Sequence, residues 1–140
     1  MTEVIESPTL PAPSPAVSAD TREFWDATRD GRFLIRRCHT CGEAIWYPRP
    51  ICPFCHSTDT GWEEGTGKGT IYTFAIVRRG GGVYQEVPYV LAYVELAEGP
   101  RMMTNIVDCD FDAVAIGLEV ELVFHRTEEG TALPRFRLRP

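Results

Sequence analysis

The chain has 140 residues and a mass of 15.7 kDa, with 14 basic against 20 acidic residues and a formal net charge of −6. That length fits one ordinary domain or two very small ones, and 44% hydrophobic with 24% charged residues is globular composition. No run of about 18 apolar residues marks a membrane-spanning helix, and the acidic balance argues against a nucleic-acid polyanion as partner. The first residues lack the basic start and apolar stretch of a secretory signal. A cytoplasmic, reducing location is therefore expected, where five cysteines point to metal or redox chemistry rather than disulfides.

Residues 1–17 read as a disordered tail. Pro8, Pro11, Pro13 and Pro15 each fix φ and remove a backbone donor, and few large side chains are present to offset the entropy of ordering them. A helix is expected over residues 18–31. Ser18 or Asp20 can cap it, Glu23 stands three after Asp20 as in a capping box, and Gly31 offers a left-handed stop. Phe24, Trp25, Ala27 and Thr28 gather on one side of it. So short a helix is marginal alone, and these aromatics must rest either on the chain's own sheet or on another protein.

Residues 32–62 are dominated by two pairs, Cys38-His39-Thr40-Cys41 and Cys52-Pro53-Phe54-Cys55. Each C-x2-C turn aims two sulfurs at one point, and two such turns supply the four ligands of a tetrahedral ion. The spacing predicts a zinc ribbon, with Ala44 to Tyr47 as a short strand between the knuckles. Structural Zn2+ is the first reading, because four thiolates leave no open position for a substrate. A rubredoxin-like iron site uses the same ligand type, and a dithiol redox pair lacks its strand–turn–helix setting. A module of this size buries too little core to fold without its metal.

Residues 63–140 read as β. Gly69–Arg78 alternates Tyr72, Phe74 and Ile76 against Ile71, Thr73, Ala75 and Val77; further strands are expected at Pro88–Leu96, Arg101–Val107, Leu118–Phe124 and Arg135–Leu138. Five short strands with little helix suit a closed Greek-key barrel of the OB-fold type. The fold class is thus mainly β: an N-terminal helix, a rubredoxin-like zinc ribbon and a five-stranded OB-fold barrel.

No catalytic set assembles from this inventory. His125 ends a strand, Cys109 sits between Asp108 and Asp110, which disfavour a thiolate, and Gly80-Gly81-Gly82 lacks the Lys-Ser/Thr of a phosphate-binding loop. Asp108, Asp110 and Asp112 read as a solvated turn. Basic groups fall at Lys68, Arg78 and Arg79 and along Arg135, Arg137 and Arg139, the last three making one face of the final strand basic. Edge strands commonly carry charge to block aggregation; the functional reading of the same residues is an anion site, since arginine's fork pairs with phosphate.

Taken in order, several features resemble the bacterial and archaeal family of OB-fold proteins with an N-terminal rubredoxin-like zinc ribbon. They are Phe24-Trp25, Gly31-Arg32-Phe33, Cys38-x-x-Cys41-Gly42, Tyr47-Pro48-Arg49-Pro50, Cys52-Pro53-x-Cys55, glycines 67 and 69, Pro88-Tyr89 and Gly117. His56 departs from the pattern, which usually has glycine there. The resemblance implies a non-catalytic accessory subunit bound to a thiolase-fold acyl-CoA enzyme, as a heterotetramer around the enzyme's dimer. In archaeal mevalonate biosynthesis a relative bridges a thiolase and a hydroxymethylglutaryl-CoA synthase. In actinobacterial steroid side-chain degradation a similar domain binds a thiolase-like aldolase that cleaves a CoA thioester, and this sequence is closer to that second group.

On this implication Lys68, Arg78 and Arg79 line part of an acyl-CoA entrance, while Phe24, Trp25 and Trp46 pack on the partner. The alternative is a single-stranded nucleic-acid binder with Tyr72 and Phe74 as stacking platform. Against it, residues 61–140 carry eight basic and twelve acidic groups, a balance of −4. A free-standing small enzyme and an iron electron carrier are the remaining readings.

Overall fold

The computed structural model describes residues 2–140. In chain order its elements are β1 (Val4–Ile5), α1 (Arg22–Thr28), β2 (Leu34–Cys38), β3 (Ala44–Ile45), β4 (Thr60–Glu64), β5 (Lys68–Val77), β6 (Tyr89–Leu96), β7 (Arg101–Val107), β8 (Glu119–Arg126) and β9 (Ala132–Leu138). Single 3₁₀ turns at Gly82–Tyr84 and Phe111–Ala113 interrupt the connections.

The five expected strands form a closed barrel. β5 pairs antiparallel with β6, β6 with β7, and β8 with both β5 and β9; a parallel pairing of β7 with β9, Ile106 opposite Phe136, completes the circle. Strict alternation fails at one point. The β5–β6 register slips between Ile71 and Thr73, so Tyr72 is the extra residue of a bulge. Ile71, 1% exposed, therefore faces the interior together with Phe74 and Ile76, and Tyr72 is turned out to solvent. The face expected to carry both Tyr72 and Phe74 does not exist.

The ribbon is a three-stranded antiparallel sheet in the order β3-β2-β4. β4 runs through residue 62, the boundary expected from sequence, because Leu34 to Cys38 pair with Glu64 to Thr60 along its whole length. Phe33, Leu34, Ile35 and Ala44 join Phe24 and the barrel's Ile71, Val94, Val120 and Phe136 in one core. Ribbon, helix and barrel thus share their apolar interior.

The helix is shorter than expected, seven residues over 22–28, and the anticipated capping box does not form. Its N-cap is Thr21, whose hydroxyl is turned back to accept the Ser18 N–H at 3.2 Å. The buried residues are those the pattern named: Phe24, Trp25, Ala27 and Thr28. Thr28 Oγ1 donates to the Trp25 carbonyl and accepts from Ala132 N–H at 3.0 Å, fastening the helix to the start of β9. Gly31 adopts φ +71° as expected.

The segment expected to be a free tail lies against the barrel instead. β1 runs parallel to β8, with Val4 opposite Phe124 and Ile5 opposite His125. Glu3 and Glu6 pair with Arg137 and Arg126 at 2.8 and 3.0 Å on either side of it. The prolines do not prevent this, because the contacts beyond β1 use carbonyls of Leu10 and Pro11, which proline retains. Among the described residues no helix is long and apolar enough to cross a membrane.

Gly31 serves the helix stop and this N-terminal segment together: a Cβ there would stand 2.6 Å from the Thr2 carbonyl oxygen. Gly31→Ala therefore combines a left-handed backbone penalty of about 1–2 kcal/mol with expulsion of Thr2. The expected outcome is a lower melting temperature and faster limited proteolysis between residues 2 and 14, with the barrel's strand signal in circular dichroism retained.

Candidate functional site

The two knuckles are built alike. Cys38 N–H donates to the Glu43 carbonyl and Gly42 N–H to the Cys38 carbonyl; in the second knuckle Cys52 N–H donates to the Ser57 carbonyl and His56 N–H to the Cys52 carbonyl, all at 2.9–3.0 Å. The residue after each second cysteine must turn left-handed: Gly42 at φ +80° and His56 at φ +64°. This is the physical reason glycine is the usual occupant and His56 the departure. N–H groups also point at sulfur, Cys41 N–H at Cys38 Sγ (3.5 Å) and Phe54 N–H at Cys52 Sγ (3.4 Å). The Cys41 N–H, opposed by burial and helped by that of Thr40, holds the Cys38 thiol down at about 6.

Cys38, Cys41, Cys52 and Cys55 converge, their sulfurs all within 4.8 Å of one another. Cys38 Sγ lies 3.6 Å from Cys55 Sγ, and Cys41 Sγ 3.7 Å from Cys52 Sγ. Four sulfurs about 2.3 Å from one Zn2+ stand about 3.8 Å apart, a spacing the Cys38–Cys55 and Cys41–Cys52 pairs match, so the donor set fits a tetrahedral ion. His39 is occupied with Asp59, Nδ1 to Oδ1 at 3.0 Å, and no histidine belongs to the cluster. Four protein ligands close the site, which makes it a structural centre.

The other candidate residues are distributed differently from expectation. Phe24 and Trp25 are 0% and 6% exposed, spent on the chain's own core rather than offered to a partner. Phe24 makes edge contacts with Trp25 at 4.9 Å and Trp46 at 5.2 Å between ring centroids, and Trp25 Nε1 donates to Tyr47 Oη at 2.9 Å. Trp46 is half-buried at the rim of the same cluster. Lys68 and Arg78 are at opposite ends of β5, roughly 30 Å apart at about 3.3 Å per residue, so Lys68, Arg78 and Arg79 do not form one cluster. Arg78 instead lies over the Phe111 ring at 5.4 Å. Arg101 covers the exposed Tyr72 ring at 3.7 Å, and with Phe74 turned inward the stacking platform of the nucleic-acid reading is lost.

The basic face expected on the last strand is also dispersed. Arg137 pairs with Glu3 and Glu121, and Arg139 with Glu119. Arg135 is 2% exposed. Its guanidinium donates to Asn105 Oδ1, the Leu10 and Pro11 carbonyls, Tyr84 Oη and His125 Nδ1. A guanidinium only donates, so His125 carries its proton on Nε2, which has no partner. Burial, then the neighbouring Arg135, pulls the His125 pKa down to about 4. At Cys109 burial, reinforced by Asp108 and Asp110, pushes the thiol up, so neither group is a ready base or nucleophile.

Sequence reasoning missed a cleft of about 500 Å³ between the aromatic cluster and the outer face of β6 and β7. Trp25, Trp46 and Tyr47 form one wall; Tyr93 and Met103, opposite one another across β6–β7 and 44% and 58% exposed, form the other. Alternation marked Tyr93 and Met103 as sharing a face, but nothing local showed which element faces them.

Residues 25–61 match the family model described as "ChsH2, rubredoxin-like zinc ribbon domain", and residues 62–125 that described as "ChsH2, C-terminal OB-fold domain". The chain is 34% identical over 132 residues to the "Probable enoyl-CoA hydratase alpha subunit" of Thermomonospora curvata, covering 94% of this chain but only 41% of that relative's length. It is 36% identical over 110 residues to a "DUF35 domain-containing scaffold protein" of Methanothermobacter thermautotrophicus, 74% of this chain and 83% of the relative. The solved structure titled "Ltp2-ChsH2(DUF35) aldolase" superposes with a TM-score of 0.79 at 34% identity, over 89% of this chain and 98% of that one. A DUF35-family protein of Sulfolobus solfataricus shares the fold at 13% identity and a TM-score of 0.63.

Two outcomes are expected. Elemental analysis of the purified chain gives one zinc per molecule and a colourless solution; visible thiolate–iron absorption marks the iron alternative instead. The second concerns pH. An unfolded histidine takes up a proton near 6.5, whereas buried His125 resists it down to about 4. Stability from this residue is fully present above pH 6.5 and is lost as pH falls from 6.5 toward 4. In urea titrations His125→Gln, which keeps an acceptor for Arg135, flattens that slope relative to the parent chain.

Proposed function

The chain belongs to the family of zinc-ribbon OB-fold proteins that includes the DUF35 scaffold proteins and the ChsH2 domains, and from that premise we propose that it is a non-catalytic accessory subunit of a thiolase-fold acyl-CoA enzyme. The observation that carries the reading is the likeness, over 98% of its length, to a chain of a solved aldolase complex. The chemistry agrees with it: among the described residues the one metal-holding cluster is closed by four thiolates, and no nucleophile is paired with a base.

The partner is an aldolase that cleaves the side chain of a steroid CoA thioester, two accessory chains flanking its dimer; a condensing thiolase is the second choice. Zn2+ on Cys38, Cys41, Cys52 and Cys55 supplies folding free energy, keeping the ribbon rigid on the barrel. Acyl-CoA is a ligand of the complex. Arg78 and Arg79, beside the Gly80–Gly82 run, are the cations for its phosphates, and Lys68, at the far end of β5, leaves that set. Contact with the enzyme falls to exposed side chains such as Tyr47, Tyr93 and Met103 rather than to Phe24 and Trp25.

The reading is tested by affinity purification of the tagged chain from its native host, followed by co-expression with the thiolase-fold enzyme that is recovered. The expected outcome is a co-purifying complex that cleaves the acyl-CoA substrate, with little or no activity from either protein alone. Arg78→Ala with Arg79→Ala is expected to weaken acyl-CoA binding by the complex about tenfold while leaving assembly intact. Activity of the isolated accessory chain, or failure to assemble, refutes the proposal.

A further inference from the structure

Among the described residues Arg135 is the one fully buried charged side chain, and it has no counter-ion there. The ion pairs among these residues join exposed or half-exposed side chains, and none includes it. All five guanidinium N–H groups are used, each on a neutral acceptor. A buried cation held this way lacks the compensation that an opposite charge provides. Two of the acceptors are informative. The carbonyls of Leu10 and Pro11, adjacent residues, sit on Nη1 at 3.2 Å and on Nη2 at 2.6 Å. Two oxygens side by side on the two Nη groups are what a bidentate carboxylate presents to arginine, with bonds roughly twice as strong as those of neutral acceptors.

Arg135 also stands at the inner end of the cleft. Its neighbours Asn105 and Tyr84 line the same space, and no Asp or Glu does, although the chain as a whole carries −6. A volume of about 500 Å³ lies within the roughly 300–1,000 Å³ of small-molecule sites, whose pattern is apolar walls with a few convergent polar groups. Leu10, whose carbonyl accepts from Arg135 Nη1, lines a second cavity of about 240 Å³ together with Thr9, His125 and Phe111. The Leu10–Pro11 stretch belongs to no strand or helix, while β1 and the Glu3 and Glu6 ion pairs hold the chain before it. It can lift without releasing the whole segment.

The geometry points to a ligand site: the cleft binds an amphiphilic carboxylate, its flat apolar body between Trp25, Trp46 and Tyr93, its carboxylate on Arg135 Nη1 and Nη2 in place of the Leu10 and Pro11 carbonyls. The N-terminal segment is then a strap that closes the empty site and yields to the ligand. Tyr84, which donates to Pro11 O and accepts from Arg135 Nη2, is freed to donate to the incoming carboxylate. The site needs no partner protein, so its test is independent of the accessory-subunit reading.

The test uses the full zinc-loaded chain with 1-naphthoate as probe and neutral 1-naphthamide as its isostere, read by tryptophan fluorescence. Naphthoate is expected to bind at least tenfold more tightly than the amide and to move the backbone NMR resonances of Thr9, Leu10 and Ala12 toward disordered-chain positions; the amide moves none. Arg135→Gln is expected to erase the preference. Because that change removes five hydrogen bonds and risks the fold, Met103→Glu at the exposed mouth is the second variant. It places a carboxylate beside the path and is expected to weaken naphthoate at least fivefold more than it weakens the amide. Equal affinity for the two probes, a preference that survives Met103→Glu, or naphthoate binding with the resonances of residues 9–12 unmoved each overturns the assignment.

Discussion

The ribbon's private interior consists of three residues, Cys38, Ile45 and Cys52, and a core that small cannot fold a chain segment. Convergence of four thiolates on one ion is therefore the constraint on which the rest depends. It fixes the knuckles, the knuckles fix the hairpin strands, and these carry Phe33, Leu34 and Ile35 onto the barrel's core. Helix α1 then has a surface for Phe24 and Trp25. An isolated helix of seven residues would not persist; its stability is tertiary, through the aromatic cluster and the Thr28 bond to Ala132.

The arginines divide into two populations. Seven of the thirteen form ion pairs with exposed or half-exposed side chains, as in Arg32 with Glu64 and Arg37 with Glu63 at 2.8 Å, and each such pair is worth little on its own. Their effect is positional: Arg126 and Arg137 decide where residues 3–6 lie. Arg135 is of the other kind. Enclosed by neutral acceptors, it organises β9, β7, β8, the Tyr84 turn and the N-terminal strap around one guanidinium. That economy is costly unless a carboxylate completes it, which is why the cleft is read as a ligand site rather than as a packing fault.

The ribbon carrying the four converging cysteines and the barrel are joined through one apolar core. The shared core joins ribbon to barrel, so a partner meeting one face is held at a defined angle to everything on the other. Of the apolar side chains left exposed, Tyr47, Tyr93 and Met103 border the cleft. Ligand binding and docking to an enzyme would consequently be neighbours on this molecule.

What the sequence by itself determined is local in origin. Cysteine spacing aims sulfurs through single turns, alternation of apolar residues shows in each strand alone, and Gly31 and the position after each knuckle announce left-handed backbone. The zinc ribbon, the five barrel strands and the buried face of the helix were legible for that reason. Tertiary structure decided whatever depends on pairing across long separations. A proline-rich leader became a strap because β8 offered an edge more than a hundred residues away; Arg135 passed from an apparent surface stripe to a buried centre when that strap covered it. The bulge at Tyr72 exists only in register with β6, and Lys68 parts from Arg78 because an extended strand holds its ends far apart. Alternation assigns each residue to one of two faces, but only the assembled neighbours determine which face is water.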